Sequence, residues 1–378
     1  MAGVEVRQRV YLHVGVPKSG TTFLQAALAQ NRKALREAGV LYPAGGGGDA
    51  MFRAALDVRG SHKAWGRKRA DVEGMWDGLC RKARGHGGTT VISHELLGAA
   101  SARQVASARS MLTGMDVHLV VTARDLGRQV TAEWQEGVKH GRRASFGEFH
   151  TRVMSAPTEH EHGRRFWAAQ DLPDVLSRWA SRLPAENVHV VCCPPPTADP
   201  VLLWRRFAGA VGFDPGAYDP AVPRSANSSL GVAQIDLLRR VNAALDGRLV
   251  QPEYGRVVKQ YFTKQLLTQH HSPRPELPIE MYDDLVAVGE HWAKEIDRAG
   301  YTVHGDLAEL IPTAPSRPHP HPDEVDREAE VATAAGVAAE LLLEVDRLRS
   351  EVSGLESDKK SLRKKRKLLK RRLTEALD

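Results

Sequence analysis

Short apolar runs alternate with segments of helical spacing through most of the chain. Val10 to Val14 (VYLHV) is a strand-like run closed by Gly15. From Thr21 to Ala38, Phe23, Leu24, Ala27, Leu28 and Leu35 recur at helical intervals, and Gly39 stands where a helix ends. Three more apolar runs follow, Thr89 to Ser93 (TTVIS), Val117 to Thr122 (VHLVVT) and Asn187 to Cys193 (NVHVVCC), with helical segments between them. Strands that alternate with helices predict an α/β fold, a parallel sheet covered on both faces. Gly45 to Gly48 interrupts the pattern as a flexible surface loop.

After residue 311 the pattern changes. Pro312, Pro315, Pro318, Pro320 and Pro322 exclude a helix or an interior strand and predict a stiff, extended linker over 312–322. Residues 323–378 then show a heptad. Val331, Ala338, Val345, Val352 and Leu373 fall at one core position. Ala334, Leu341, Leu348, Leu355, Leu362 and Leu369 fall at the other, and Lys359 and Arg366 are charged exceptions. So long a seam predicts a coiled coil, hence self-association or a partner helix. The alternative is a solitary amphipathic helix lying on the body.

Composition narrows the class. The chain has 378 residues, 42% of them hydrophobic, enough for a real core. No run approaches the roughly 18 apolar residues of a membrane span. Met1 to Arg9 carry no apolar run, so no signal peptide is expected. Three cysteines cannot make a disulfide framework and fit a reducing, cytoplasmic setting. The net charge is +7. Ser357 to Asp378 hold ten Lys and Arg against three acids, while the other 356 residues balance at 43 against 43. The excess therefore belongs to the tail. LRKKRKLLKRR is expected to be a solvated coiled-coil end, with weak contact to an anionic surface as the alternative.

The segment Val14 to Leu24 (VGVPKSGTTFL) carries the chemistry. A strand enters a turn containing Gly15 and Gly20, and a helix follows. Amides at a helix N-terminus point outward without partners, and the helix dipole favours an anion there. Thr21 and Thr22 add hydroxyl donors and Lys18 a point charge. The nucleoside-triphosphatase loop has its lysine directly after the second glycine, where this chain has Thr21. The displaced order PKSGTT resembles the 5′-phosphosulfate loop of the sulfotransferases that use 3′-phosphoadenosine 5′-phosphosulfate (PAPS). The resemblance is to a bacterial form with a C-terminal coiled-coil extension.

That resemblance implies a P-loop-like three-layer fold over residues 1–311, with the coiled-coil helix appended. It implies donor binding by Pro17, Lys18, Ser19, Gly20, Thr21 and Thr22, with 3′-phosphoadenosine 5′-phosphate (PAP) as product. The family's 3′-phosphate arginine matches Arg124, which follows VHLVVT. Where the family has a serine eight residues on, this chain has Ala132, and Thr131 is the substitute. Arg128 lies one helical turn after Arg124 and either assists or is a solvated helix charge. The family's late loop matches Arg224 to Gly231 (RSANSSLG), where Arg224, Asn227 and Ser228 are donors to the 3′-phosphate side, or else form a cap and turn before a helix.

The base follows the strand TTVIS. His94 and Glu95 are adjacent, and along an extended chain they point to opposite sides. Histidine needs little tuning to accept a proton, so His94 is preferred and Glu95 is the rival. Lys18, His94 or Glu95, and Arg124 all follow the carboxyl end of a predicted strand, where open parallel sheets bind ligands. The expected reaction is in-line transfer of a sulfuryl group to an acceptor hydroxyl of a carbohydrate, lipid or small metabolite, with Lys18 stabilising the charge that develops and no obligatory metal. Acceptor contacts are expected from Gly39 to Arg84 and His140 to Asp174. Two alternatives stand beside this reading: an atypical nucleotide-dependent kinase, against which no clear acidic residue ends VHLVVT, and a coiled-coil scaffold on a vestigial nucleotide domain. Trp65 or Trp134 is the candidate for stacking on adenine. His319 and His321 lack the neighbours of a metal site.

Overall fold

A computed structural model of the chain describes residues 8–43, 49–155, 157–220, 230–315 and 319–377. The glycine run 45–48 and the donor loop residues Arg224, Asn227 and Ser228 lie outside these. Six strands form one sheet in the order β2-β3-β1-β4-β5-β6, and every pairing is parallel. They are β1 (Arg9–His13), β2 (Val40–Leu41), β3 (Thr89–Ser93), β4 (Asp116–Ala123), β5 (Val188–Cys192) and β6 (Thr302–His304). All five residues of β5 are buried. Successive side chains alternate between faces, so both faces are covered, as the α/β reading requires.

The four strands read from the apolar runs are present. Two more, β2 and β6, are edge strands of two and three residues, too short to show a periodicity. The expected single helix from Thr21 to Ala38 is broken at Asn31 into Thr21–Gln30 and Arg32–Glu37. The Asn31 side-chain amide donates to Ala27 O (2.9 Å) and to Asp219 O (2.7 Å), which holds the break.

From β1 the chain first builds β2 and β3 on one side and then crosses to build β4 on the other. The loops leaving β1 and β4 therefore part at the sheet's carboxyl edge and open a crevice there. Under it lies a core that includes Val10, Leu12, Val14, Leu119 and Val121, each no more than 1% exposed.

The segment after 311 lies on the body. Asp323 accepts from the Phe146 and Gly147 amides (2.7 and 2.8 Å) at the start of helix Phe146–Met154, and the His321 ring meets Phe146 edge to face. His319 pairs with Glu276 (2.8 Å). The terminal helix runs over Arg327–Leu377. Its first turns dock on helix Val232–Leu245 through Glu330 (to Arg240, 2.7 Å), Thr333 (to Gln234, 3.3 Å) and buried Val337. Among the described residues, no helix is long and apolar enough to cross a membrane.

Candidate active site

Residues 14–20 leave β1 and wrap the start of helix Thr21–Gln30. Two glycines make the turn. A Cβ on Gly15 would lie 2.0 Å from Thr122 Oγ1 and 2.8 Å from His13 Nε2. Gly20 caps the helix at φ 84° and would drive a Cβ into Leu203 Cδ2, 2.3 Å away. Lys18 also takes a left-handed φ of 67°, an uncommon conformation for a residue with a side chain.

A buried polar network holds the loop from below. His13 Nδ1 lies 2.8 Å from Ser93 Oγ and His13 Nε2 lies 3.1 Å from Thr122 Oγ1. Thr122 Oγ1 is 2.6 Å from Ser19 Oγ, and Ser19 Oγ donates to Val16 O at 2.5 Å. Burial lowers the His13 pKa to about 4, so the imidazole is neutral. From above, Gln129 and Gln170 both donate to Pro17 O (3.2 Å each).

These bonds engage two of the expected donor residues. The Ser19 hydroxyl is fully buried in the network and its amide bonds Val16 O (3.3 Å), so neither faces the crevice. Thr131 donates its hydroxyl back to Arg128 O (3.3 Å) on its own helix, Leu126–Lys139. Pro17 contributes its carbonyl to the scaffold. The first turn of the helix closes at Leu24 N to Gly20 O (3.1 Å), which leaves the amides of Thr21, Thr22 and Phe23 ahead of it at the crevice. The Thr22 side chain is exposed.

Arg124 sits at the carboxyl end of β4 with its Nη1 donating to Lys18 O (3.2 Å), so it lies against the loop. Its Nε is buried and has no hydrogen-bond partner among the described residues, and no carboxylate there pairs with the guanidinium. Burial lowers its pKa, with Arg128 adding to the effect. Arg128 is spoken for. It binds Asp125 and donates to the carbonyls of Pro194 (3.0 Å) and Cys193 (3.4 Å), tying helix Leu126–Lys139 to the end of β5. Asp125 also caps that helix through the Arg128 amide (2.9 Å).

His94 and Glu95 do not point apart. The chain leaves its extended path just after His94, which caps the short helical turn Glu95–Ala99, and His94 Nδ1 comes within 3.7 Å of Glu95 Oε2. The Leu96 amide donates to His94 Nδ1 (3.2 Å), which assigns the remaining proton of the neutral ring to Nε2. Burial keeps the His94 pKa low. Glu95 faces the loop helix and accepts from Gln25 (3.1 Å) and Thr21. Burial alone would raise its pKa, but His94, its backbone contact, Gln25 and Thr21 together hold it below the usual range.

Glu136 was not expected in the site. It accepts from Lys18 Nζ (2.7 Å) through one oxygen, and from Lys259 Nζ (2.7 Å) and His140 Nε2 (2.9 Å) through the other. Burial would push its pKa up, but His140 and the two lysines outweigh burial and hold it far below the carboxylate range. Lys139 beside it is lowered to about 8, by burial and then by the neighbouring lysines against the pull of Glu136. The Glu136–His140 pair was legible as an i, i+4 spacing, whereas Lys259 arrives from the π-helical segment Gly255–Leu266.

Beyond these groups runs an aromatic wall. Phe52 packs on His94 (5.6 Å between ring centres) and on Trp65 (5.0 Å), and Trp65 meets His140 (5.5 Å). Trp134 is buried against Phe146 and donates to Ala144 O (3.0 Å), so it cannot stack on a ligand. Cys193 is buried and donates its thiol to Ser19 O (2.7 Å). Among the described residues, no group of three or more His, Cys, Asp or Glu is placed to hold a metal ion.

No family model matches the chain, and no curated protein matches it. Among solved structures, a sulfotransferase from Alicyclobacillus acidocaldarius is similar over 65% of this chain and 98% of its own, at 14% identity and a TM-score of 0.39. So remote a likeness carries no chemistry with it.

Proposed function

We propose that this chain is a sulfotransferase that takes a sulfuryl group from PAPS to an acceptor hydroxyl at the crevice between β1 and β4. One observation carries the reading. Arg124 is a largely buried cation, unpaired among the described residues, beside a helix N-terminus that is itself an anion site. A partly buried guanidinium with no direct ion-pair partner is desolvated at a cost, and a bound phosphate would offset part of that cost. The residues fit a nucleotide with phosphates at two ends. The amides of Thr21, Thr22 and Phe23 with Lys18 suit the 5′ group, and Arg124 suits the 3′ group.

The donor supplies an activated sulfuryl group. Glu95 serves as the base better than His94, because its carboxylate is charged and faces the loop helix. His94 has its free lone pair engaged by the Leu96 amide. Lys18 reaches the donor by leaving Glu136, and Lys259 and His140 keep that carboxylate satisfied. Phe52, Trp65 and His140 form the acceptor side. Asp125 is committed to its cap and to Arg128, which disfavours the kinase reading with its need for a metal-binding acid.

Calorimetry with PAP, ADP and ATP on the wild type and Arg124→Ala tests this. PAP should bind at least roughly tenfold more tightly than ADP, the value of one charge-assisted contact, and Arg124→Ala should erase the difference. Equal binding of ADP and PAP by the wild type would sink the donor assignment.

A further inference from the structure

The terminal helix docks on the body through Glu330, Thr333 and Val337, none of which is in the heptad seam. The seam itself stays in solvent. Val345, Leu348, Val352, Leu355, Leu362, Leu369 and Leu373 are each between 44% and 65% exposed. A helix this long and this free needs a partner to cover its apolar face.

The charges say which partner and which way round. From Glu340 to Asp358 there are six acids against Arg347 and Arg349. From Lys359 to Asp378 there are ten Lys and Arg against Glu375 and Asp378. A second copy laid parallel would set basic half on basic half, and Lys359 and Arg366 would each meet themselves in the core. Laid antiparallel, the acidic half of each copy meets the basic half of the other.

We propose that the terminal helix pairs with that of a second copy as an antiparallel coiled coil, in the register that sets Glu351 against Arg372. In that register core layers form between Val352 and Leu369 and between Leu348 and Leu373. Lys359 lies against Leu362 and Arg366 against Leu355, so each charged core residue lays its aliphatic stem on a leucine and sends its head outward. On the flanks, Glu351 meets Arg372, Asp358 meets Lys365 and Glu356 meets Arg363. Arg349 against Lys370 is the one like-charged pair. Shifting the register by one heptad toward the N-terminus sets Asp358 and Glu356 each against itself. The overlap from Leu348 to Leu373 is nearly four heptads, the length at which such a seam becomes specific. The inference does not depend on the reaction proposed above.

Sedimentation equilibrium of the full chain should show a dimer. Orientation is read with a short bismaleimide on two single variants, Glu351→Cys and Arg372→Cys, since Cys80, Cys192 and Cys193 are buried. The mixture of the two variants should cross-link, and neither variant alone should. Lys365→Glu should raise the dimer dissociation constant roughly tenfold because it reverses two symmetric pairs, and adding Asp358→Lys should restore it. Cross-linking within each variant alone would mean a parallel pair. A chain that stays monomeric while binding duplex DNA or anionic vesicles through residues 359–372 would mean a different occupant. Either result overturns the proposal.

Discussion

Replacing Glu136 by glutamine should strengthen nucleotide binding, although it removes a half-buried carboxylate from the site. Lys18 Nζ sits 2.7 Å from Glu136 Oε2, with the two side chains only 30% and 26% exposed, so water screens the pair incompletely. At an effective dielectric constant of about 20 the gross attraction at this distance is ~6 kcal/mol. Most of that is offset by desolvation, and a charge-assisted hydrogen bond in such a setting nets about 1.5–3 kcal/mol. A ligand that recruits Lys18 forfeits part of this, because Lys259 and His140 continue to satisfy the carboxylate. Taking about 1.4 kcal/mol as the share lost, Glu136→Gln should tighten PAP binding about tenfold. Calorimetry near neutral pH at two salt concentrations measures it, and the gain should shrink at the higher salt. An unchanged or weaker affinity would show that Lys18 does not move from Glu136 to the ligand.

Two further outcomes follow from the loop and from the sheet. Gly20→Ala combines a left-handed φ with the Leu203 overlap and should cost about 1–3 kcal/mol of stability, read as a lower denaturant midpoint, and an unshifted midpoint would mean that the turn relaxes freely. His118, His189 and His304 hydrogen-bond in a row across β4, β5 and β6 (3.0 and 3.2 Å). Burial lowers all three pKa values, and for His189 the fall from 6.5 to about 4 is reinforced by its two neighbours. The unfolded chain therefore binds more protons in that window, and stability should fall as pH drops from about 6.5 toward 4. In His189→Phe the fall should be shallower; identical pH profiles would refute the assignment.

Much of this was legible because the deciding signals are local. VHLVVT is buried on both faces and reads as a strand by composition alone, and Gly15, Gly20 and Lys18 sit in one short loop. What escaped depended on non-local pairing. Glu136 looks like any helix carboxylate until Lys18 and Lys259 converge on it from two other parts of the chain. The His94 and Glu95 directions differ from the extended-chain expectation because the chain turns into the short helix Glu95–Ala99 directly after His94, although the strand itself ends at Ser93 as read. His13 reads as a polar interruption in VYLHV, yet it is the hub beneath the loop. The proline composition after 311 says nothing of the caps and rings by which Asp323 and His321 fasten that segment to the body.

The network under the loop also has a direction. Ser19 gives its one proton to Val16 O, so the bond to Thr122 must be donated by Thr122. Thr122 must then accept from His13 Nε2, and the neutral ring must accept at Nδ1 from Ser93. Every proton along β3, β1 and β4 is thus dictated by one carbonyl in the loop, and each bond polarises the next. An edit at any member is consequently not confined to its own position. Thr122→Val leaves two donors or acceptors orphaned on either side of it, whereas an edit that keeps one donor and one acceptor in place lets the whole order stand.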